Sequence, residues 1–346
     1  MATLIHSHAV LQSTQAAGIG FDNVNFSDEG PCSSFQTTAK FPVPKELQQG
    51  LGKTLPIIFT IPTRCGTDPS SPSSPFPLLI FYNGFQLQAK YYRRIVAHAA
   101  SWGYVVLQYN LPRFSLTPAI LELEAFNPLL QWVDKQTKNK TSPIYGRADM
   151  SKVVLSGHSR GGKLAALNYG NNPTKVAAAW LVDPIDSSTF SPISPENPSG
   201  VEAIRGKEIG VEGAGIRSSC NPTEGNYQKF YAAGKAGSWK YEIPKASHST
   251  FSDGGFVLNT AQDFLCGKGG ITRATAANLT ATPMLAWFYK QIEKLTNSGG
   301  DVASIDPLAV FYAWVERNEA KGIVKFVIKK TPAAKEAKET VLQAVI

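Results

Sequence analysis

Apolar residues along this chain fall into short runs of two kinds. In one kind they are nearly continuous, as in Leu78–Tyr82, Tyr104–Tyr109, Lys152–Ser156 and Val176–Val182. Such runs mark strands buried on both faces of a parallel sheet. In the other kind they recur every three or four residues. Ala89–Trp102 sets Tyr92, Ile95, Val96 and Ala99 at helical spacing, and Gly103 follows where a helix ends in a left-handed residue. Thr117–Thr137 carries Ile120, Leu123, Leu130 and Trp132 as apolar anchors, and its internal Pro128 is expected to break it in two. Further helices are predicted at Arg160–Tyr169 and Met284–Leu295, and further strands at Leu55–Ile61 (an edge strand), Glu208–Glu212 and Trp239–Ile243. Alternating short strands and helices predict an α/β fold, a mostly parallel central sheet covered by helices on both faces.

Three segments follow from the same pattern. Residues 1–39 form an N-terminal arm, small, polar and turn-rich through residue 35; residues 40–296 form the α/β domain; residues 297–346 read as a C-terminal appendage. The appendage has helical patterns at Leu308–Glu316 and Pro332–Ala344 around a strand-like Ile323–Ile328. Within the domain, residues 66–77 hold four prolines and are expected as an exposed loop.

Composition narrows the function classes. The net charge of +8 comes from 34 basic and 26 acidic residues without a dense basic run, which argues against a nucleic-acid partner. No stretch approaches the ~18 consecutive apolar residues of a membrane span. Cys32, Cys65, Cys220 and Cys266 form no C-x-x-C pair, so up to two disulfides are open and a zinc or redox motif is not indicated. The N-terminus lacks the pattern of a secretory signal, and no Lys or Arg precedes Lys40, whereas plastid transit peptides are Arg-rich. Import by another route and a transit peptide already removed both stay open.

The chemistry concentrates in Gly157-His158-Ser159-Arg160-Gly161, a G-x-S-x-G run between a predicted buried strand and a predicted helix. In that context the serine sits on a strained strand-to-helix turn, and glycines flank it because side chains there would strike neighbouring backbone. A serine hydroxyl needs a base, and in this fold the order is Ser, then Asp or Glu, then His. Of five histidines, His6, His8 and His98 precede Ser159 and His158 lies inside the elbow, where its ring is expected to point away from the hydroxyl; His248 remains. The aspartates between Ser159 and His248 are Asp183 and Asp186. Asp183, directly after a buried strand, is preferred, with Asp186 as the alternative. Two backbone amides must receive the oxyanion. Arg160 supplies one and Phe85, after Gly84, is expected to supply the other, with Gln86 next in line.

The run Gly157-His158-Ser159-Arg160-Gly161-Gly162-Lys163 resembles the elbow of plant and algal chlorophyllases. The resemblance continues in Val182-Asp183-Pro184-Ile185-Asp186, Cys220-Asn221-Pro222, Phe230-Tyr231 and Leu265-Cys266-Gly267-Lys268, over roughly residues 40–295. It implies the α/β-hydrolase fold, with Ser159, Asp183 and His248 as a triad. It implies hydrolysis of the phytyl ester of chlorophyll, or of a related phytylated pigment, to chlorophyllide and phytol through an acyl-serine, with no cofactor or metal. A chloroplast location is implied as well. The family's usual His-Gly-Phe is Asn83-Gly84-Phe85 here, and its usual Leu or Met and Asp after Gly-His are replaced in Ser247-His248-Ser249-Thr250. Other apolar esters, and an inactive pigment- or lipid-binding protein of this fold, are the competing readings. The segment Leu111–Leu130, with Phe114, Leu116, Ile120, Leu121 and Phe126, is expected to line an apolar cleft, lie on a lipid surface as a peripheral membrane contact, or pack on the sheet.

Overall fold

A computed structural model describes residues 24–65, 75–112, 116–188, 191–222, 225–296 and 306–331. Nine strands form one sheet among them: β1 (Cys32–Pro42), β2 (Thr54–Cys65), β3 (Phe76–Tyr82), β4 (Val105–Tyr109), β5 (Ala148–His158), β6 (Ala178–Val182), β7 (Gly210–Ile216), β8 (Trp239–Ser247) and β9 (Lys325–Ile328). The order is β1-β2-β4-β3-β5-β6-β7-β8-β9. The six strands from β4 through β8 run parallel, and antiparallel pairs close both edges. This is the expected α/β-hydrolase architecture.

The helices are α1 (Gln48–Leu51), α2 (Arg93–Ser101), α3 (Ala119–Lys138), α4 (Arg160–Asn171), α5 (Gly200–Ala203), α6 (Tyr227–Ala233), α7 (Phe256–Cys266), α8 (Arg273–Thr296) and α9 (Pro307–Ala320). Two cores result, one on each face of the sheet. One gathers Phe59, Leu107, Leu155, Leu164 and Leu181 under α3 and α4. The other gathers Phe81, Val106, Trp180, Trp239 and Trp287 under α2 and α8. Alternate residues of β3 and β5 feed opposite cores, which is why those strands read as unbroken apolar runs.

Several expectations change. Helix α3 runs through Pro128 without a break. Phe126, Leu129 and Leu130, on either side of the proline, are all buried in one core, so packing holds both halves in line despite the lost hydrogen bond. Pro77, expected in the loop, is inside β3, at a register shift against β5, where a residue without an N–H is tolerated. The arm is structured before its expected end. Val24 and Phe26 are buried, and β1 begins at Cys32, crossing the 39/40 boundary while Cys32 is disulfide-bonded to Cys65 of β2. The C-terminal segment supplies α9 and the edge strand β9, antiparallel to β8. Phe311 of α9 stacks on Trp239, so this segment shares the main core rather than hanging from it. Helix α8 starts eleven residues before the expected Met284 and contains Pro283. Residues 1–23, the 66–74 loop, Phe114 and the predicted helix Pro332–Ala344 lie outside the described residues.

Candidate active site

The elbow forms because β5 ends at His158 and α4 begins at Arg160, leaving one residue to turn the chain. That residue, Ser159, has φ 59° and ψ −123°, a conformation costing a non-glycine residue on the order of 1–3 kcal/mol. Close packing holds it there. A side chain at Gly157 would meet Gly161 backbone at 2.5 Å, and one at Gly161 would meet the Tyr82 carbonyl at 2.2 Å. The Ser159 amide donates to the Val182 carbonyl at 3.0 Å, tying the elbow to the end of β6.

Asp183 follows β6 directly, also with positive φ (38°), and its amide donates to the Glu212 carbonyl. Its carboxylate is fully buried. Oδ1 accepts from the Ala214 amide at 3.1 Å, while Oδ2 is 2.6 Å from His248 Nδ1. His248 opens the turn after β8, and its Nε2 is 2.9 Å from Ser159 Oγ. The arrangement that satisfies both contacts has Nδ1–H donating to Asp183 and Nε2 accepting from the serine hydroxyl. The structure therefore brings together Ser159, Asp183 and His248. Asp186 goes elsewhere: its carboxylate accepts from Ser199 Oγ and the Gly200 amide, both at 2.6 Å. Its carbonyl accepts from Lys163 Nζ at 2.5 Å. Burial pushes the Lys163 ammonium below its usual range, against the pull of Asp186. These bonds fix the loop that follows Pro184.

Arg160 is the first residue of α4, where amides lack intrahelical acceptors and the helix favours negative charge. Phe85 lies in the turn closed by the Leu87 amide on the Gly84 carbonyl. Gln86 in that turn has φ 57°. The neighbouring Gly84 amide is already engaged, donating to Tyr92 Oη at 3.0 Å. Asn83, standing where the resembling family has histidine, braces the loop by donating to the Tyr109 carbonyl and accepting from Gln108.

Two contacts around the site are illegible in the sequence. His158 lies beside His248, its ring centroid 4.6 Å from that of His248. Its Nδ1 is 2.9 Å from Tyr92 Oη, the same hydroxyl that receives the Gly84 amide. Burial first, then the nearby His248, hold the His158 pKa well below the usual histidine range; the His248 backbone opposes them. His158 is thus a neutral ring wedged between the Gly84–Leu87 turn, through Tyr92, and His248. The Arg160 guanidinium is the other. It pairs with the buried Glu122 at 2.5 Å and donates to the Thr117 carbonyl, while Glu122 also accepts from Tyr109 Oη. Glu122 on α3 gave no signal beyond a charge at one turn of a predicted helix.

Ser159 and His248 open into a cavity of 550 Å³ whose walls include Leu87, Leu164, Ile185, Leu258 and Leu265. A second cavity of 380 Å³ adjoins it, sharing Phe85, Gln86, Leu87, Arg160 and Leu258 with the first. Glu122, Tyr109 and Leu111 line this second space. Of the segment Leu111–Leu130, Leu111 reaches a cavity wall, Leu116 is exposed, and Phe126, Leu129 and Leu130 pack into the core.

The chlorophyllase family pattern matches residues 53–306 of this chain. Chlorophyllase-1 of Arabidopsis thaliana is 26% identical over 216 residues, covering 58% of this chain and 64% of the relative. A protein of Citrus unshiu named chlorophyllase-1, chloroplastic, is 28% identical over 189 residues, covering 48% and 56%. The matches thus span less than two thirds of the length of these curated relatives. Among solved structures, the ferulic acid esterase of Streptomyces cinnamoneus superposes with a TM-score of 0.58 at 15% identity, over 89% of this chain and 98% of the esterase. That likeness is one of fold.

Proposed function

The chain belongs to the chlorophyllase family, and from that premise we propose that it is a carboxylic ester hydrolase whose substrate is the phytyl ester of chlorophyll or of a related pigment. The observation that carries the reading is the unbroken line Ser159–His248–Asp183 opening into an apolar cavity. In the reaction, His248 Nε2 takes the Ser159 proton as Oγ attacks the ester carbonyl. Asp183 keeps the imidazole in the required tautomer and stabilises its cation. The amides of Arg160 and Phe85 receive the carbonyl oxygen as it gains charge. Collapse of the tetrahedral intermediate breaks the ester C–O bond, and His248 returns the proton to the departing phytol. A water molecule, deprotonated by His248, then attacks the acyl-serine and releases the pigment carboxylate with Ser159 restored.

Two adjoining cavities suit an ester with two large halves, one on each side of the scissile bond. A twenty-carbon alcohol could gain up to about 0.8 kcal/mol per buried methylene, so even partial burial favours phytylated pigments over short esters. The chloroplast is the proposed location, in line with the Citrus relative's printed name; a fluorescent fusion of the full-length protein tests it.

Incubation with purified chlorophyll, followed by chromatography of the pigments, is the deciding experiment. Chlorophyll or pheophytin should be cleaved with kcat/KM at least about tenfold above that for a butyrate ester in the same detergent, a margin needing only about 1.4 kcal/mol. Butyrate cleavage without chlorophyllide would leave an esterase of another apolar ester. Failure of Ser159 to react with a fluorophosphonate probe would leave a binding protein.

A further inference from the structure

Helix α7 is amphipathic the wrong way round for a helix packed on a soluble protein. Successive residues turn by about 100°, which sets Phe256, Val257, Thr260, Ala261, Phe264 and Leu265 on one face. Those residues face solvent: Phe256 is 86% exposed, Val257 81%, Phe264 89% and Leu265 64%, and no residue of α7 is buried. The polar face points inward. Asn259 bonds the Gly254 amide and Asp253; Gln262 bonds Ser252; Asp263 accepts from Ser249 and pairs with Arg273 at 2.7 Å. A disulfide from Cys266 to Cys220 secures the far end. Polar bonds and a crosslink therefore hold the helix, while Phe256, Val257, Phe264 and Leu265 stand largely in solvent. Large exposed apolar patches of this kind mark interaction surfaces.

We propose that α7 is a lipid-docking helix, lying in the plane of a membrane surface with Phe256, Val257, Phe264 and Leu265 immersed. Three observations select a lipid surface. The helix is 11 residues long, about 16 Å, too short to cross a bilayer and suited to lying on one. Its sole acid, Asp263, is neutralised by Arg273, and the neighbouring Asp253 pairs with Arg94, while exposed Arg93, Lys245 and Lys268 add positive charge around the segment. Such a fringe favours anionic headgroups and disfavours a second copy presenting the same charges. The apolar surface is also continuous with the cavity. Leu258 and Leu265 line it, and the half-exposed Phe85 stands at the rim the two cavities share. An apolar ester leaving a bilayer beneath α7 would meet Leu258 and Leu265 on its way to Ser159. Of the three roles open to Leu111–Leu130, packing on the sheet is the one taken by Phe126, Leu129 and Leu130 of α3, and α7 offers the larger exposed apolar face. Among the described residues no helix is long and apolar enough to span a membrane.

The inference rests on the ester-hydrolase reading for its purpose but not for its test. The probes are extruded vesicles of phosphatidylcholine, with and without about one third phosphatidylglycerol, mixed with full-length protein and sedimented. The wild type should pellet with vesicles, more strongly with phosphatidylglycerol. Phe256→Gln/Phe264→Gln should lower partitioning by about tenfold or more, since two aromatic side chains no longer leave water. Neither residue lines either of the two cavities at the site, so hydrolysis of dissolved p-nitrophenyl butyrate should stay within about twofold of wild type. Equal partitioning of variant and wild type overturns the proposal. So does a wild type that fails to pellet but elutes as a dimer which the substitutions dissociate, since α7 would then be a contact between copies. Ser159→Ala, tested alongside, should pellet like wild type; loss of hydrolysis without loss of binding separates the two readings.

Discussion

Beneath the cavity, Ser159, Asp183 and His248 sit where β5, β6 and β8 end, held by bonds to the backbone of Val182, Glu212 and Ala214, with Asp183 and His248 buried and Ser159 half-buried at the cavity. Above it, α7 buries no residue and is held by side-chain bonds to Ser249, Ser252 and Arg273. The floor lies on a sheet with a packed core on each face; the roof has polar bonds on one side and an exposed face on the other. Geometry needed to a few tenths of an ångström comes from the densely packed element. A surface that must meet a changing environment comes from the loosely packed one.

The sharpest way to break this comparison is at the floor. Ser159→Ala should lower turnover by several orders of magnitude, leaving what the oxyanion amides and binding supply. Asp183→Asn should cost on the order of 10⁴-fold, because the amide favours the wrong tautomer of His248. Asp186→Asn should cost far less turnover, its bonds being to Ser199 and Gly200. Steady-state kinetics on folded variants checks all three, and the reverse ranking of the two aspartates would move the orienting role to Asp186.

The next effect is on stability. Glu122→Ala removes the buried partner of Arg160, leaving a guanidinium 16% exposed without its carboxylate. Breaking such a pair costs about 3 kcal/mol or more. Urea denaturation should show that loss, with a rise in KM as the loop carrying Thr117 loosens. An unchanged midpoint would mean that Arg160 finds solvent without cost.

Much of the floor is legible in the sequence. A buried strand feeding Gly157–Gly161 defines the elbow, and with five histidines, elimination leaves His248. The preference for Asp183 over Asp186 used only strand-end position, and the structure sets Asp183 against the imidazole. His158 was not legible. Its ring is expected to point away from the hydroxyl, and elimination says nothing of a ring that lies tilted against His248 without touching that hydroxyl. The roof was less legible still. Phe-Val-Leu-Asn-Thr-Ala-Gln-Asp-Phe-Leu-Cys has helical periodicity, but periodicity gives the spacing of an apolar face and not whether protein or solvent covers it. Strand β1 was lost for a related reason. Its middle residues are mostly exposed, and only Cys32 and Phe41 are buried, so it carries too little apolar alternation to be read.

Glu212 tests the floor through pH. Its carboxyl is buried, accepts from Thr280 Oγ1 and Trp180 Nε1, and has its pKa raised to about 8, by burial first and by Asp183 last, against those two hydrogen bonds. In the unfolded chain it should titrate near 4.5. Between these values the folded state keeps a proton that the unfolded state has released. Its contribution to stability is therefore complete below about pH 4.5 and declines as pH rises, until it levels off above about 8. Glu212→Gln keeps the shape and an acceptor for Trp180, so it should remove this decline. Compared at pH 5 and pH 8.5, wild type should lose on the order of 2–4 kcal/mol more than the variant. Parallel losses would place the carboxylate in a better solvated site.

The smallest expected effect belongs to the roof, where the comparison predicts an asymmetry between two faces of one helix. Phe264 is 89% exposed, so Phe264→Gln removes no packing and should leave stability within about 0.5 kcal/mol of wild type. Asp263, the adjacent residue, accepts from Ser249 and Arg273. Asp263→Ala leaves Arg273 without its carboxylate and should cost about 1 kcal/mol. More telling than the global value is where the loss falls. Because α7 has no apolar anchor, cutting its polar ties should release the helix before the sheet, and hydrogen exchange should speed up at 256–266 while β5 and β6 keep their protection. If Phe264→Gln destabilises more than Asp263→Ala, the outward face has a partner within the molecule and the roof is not the open surface described above.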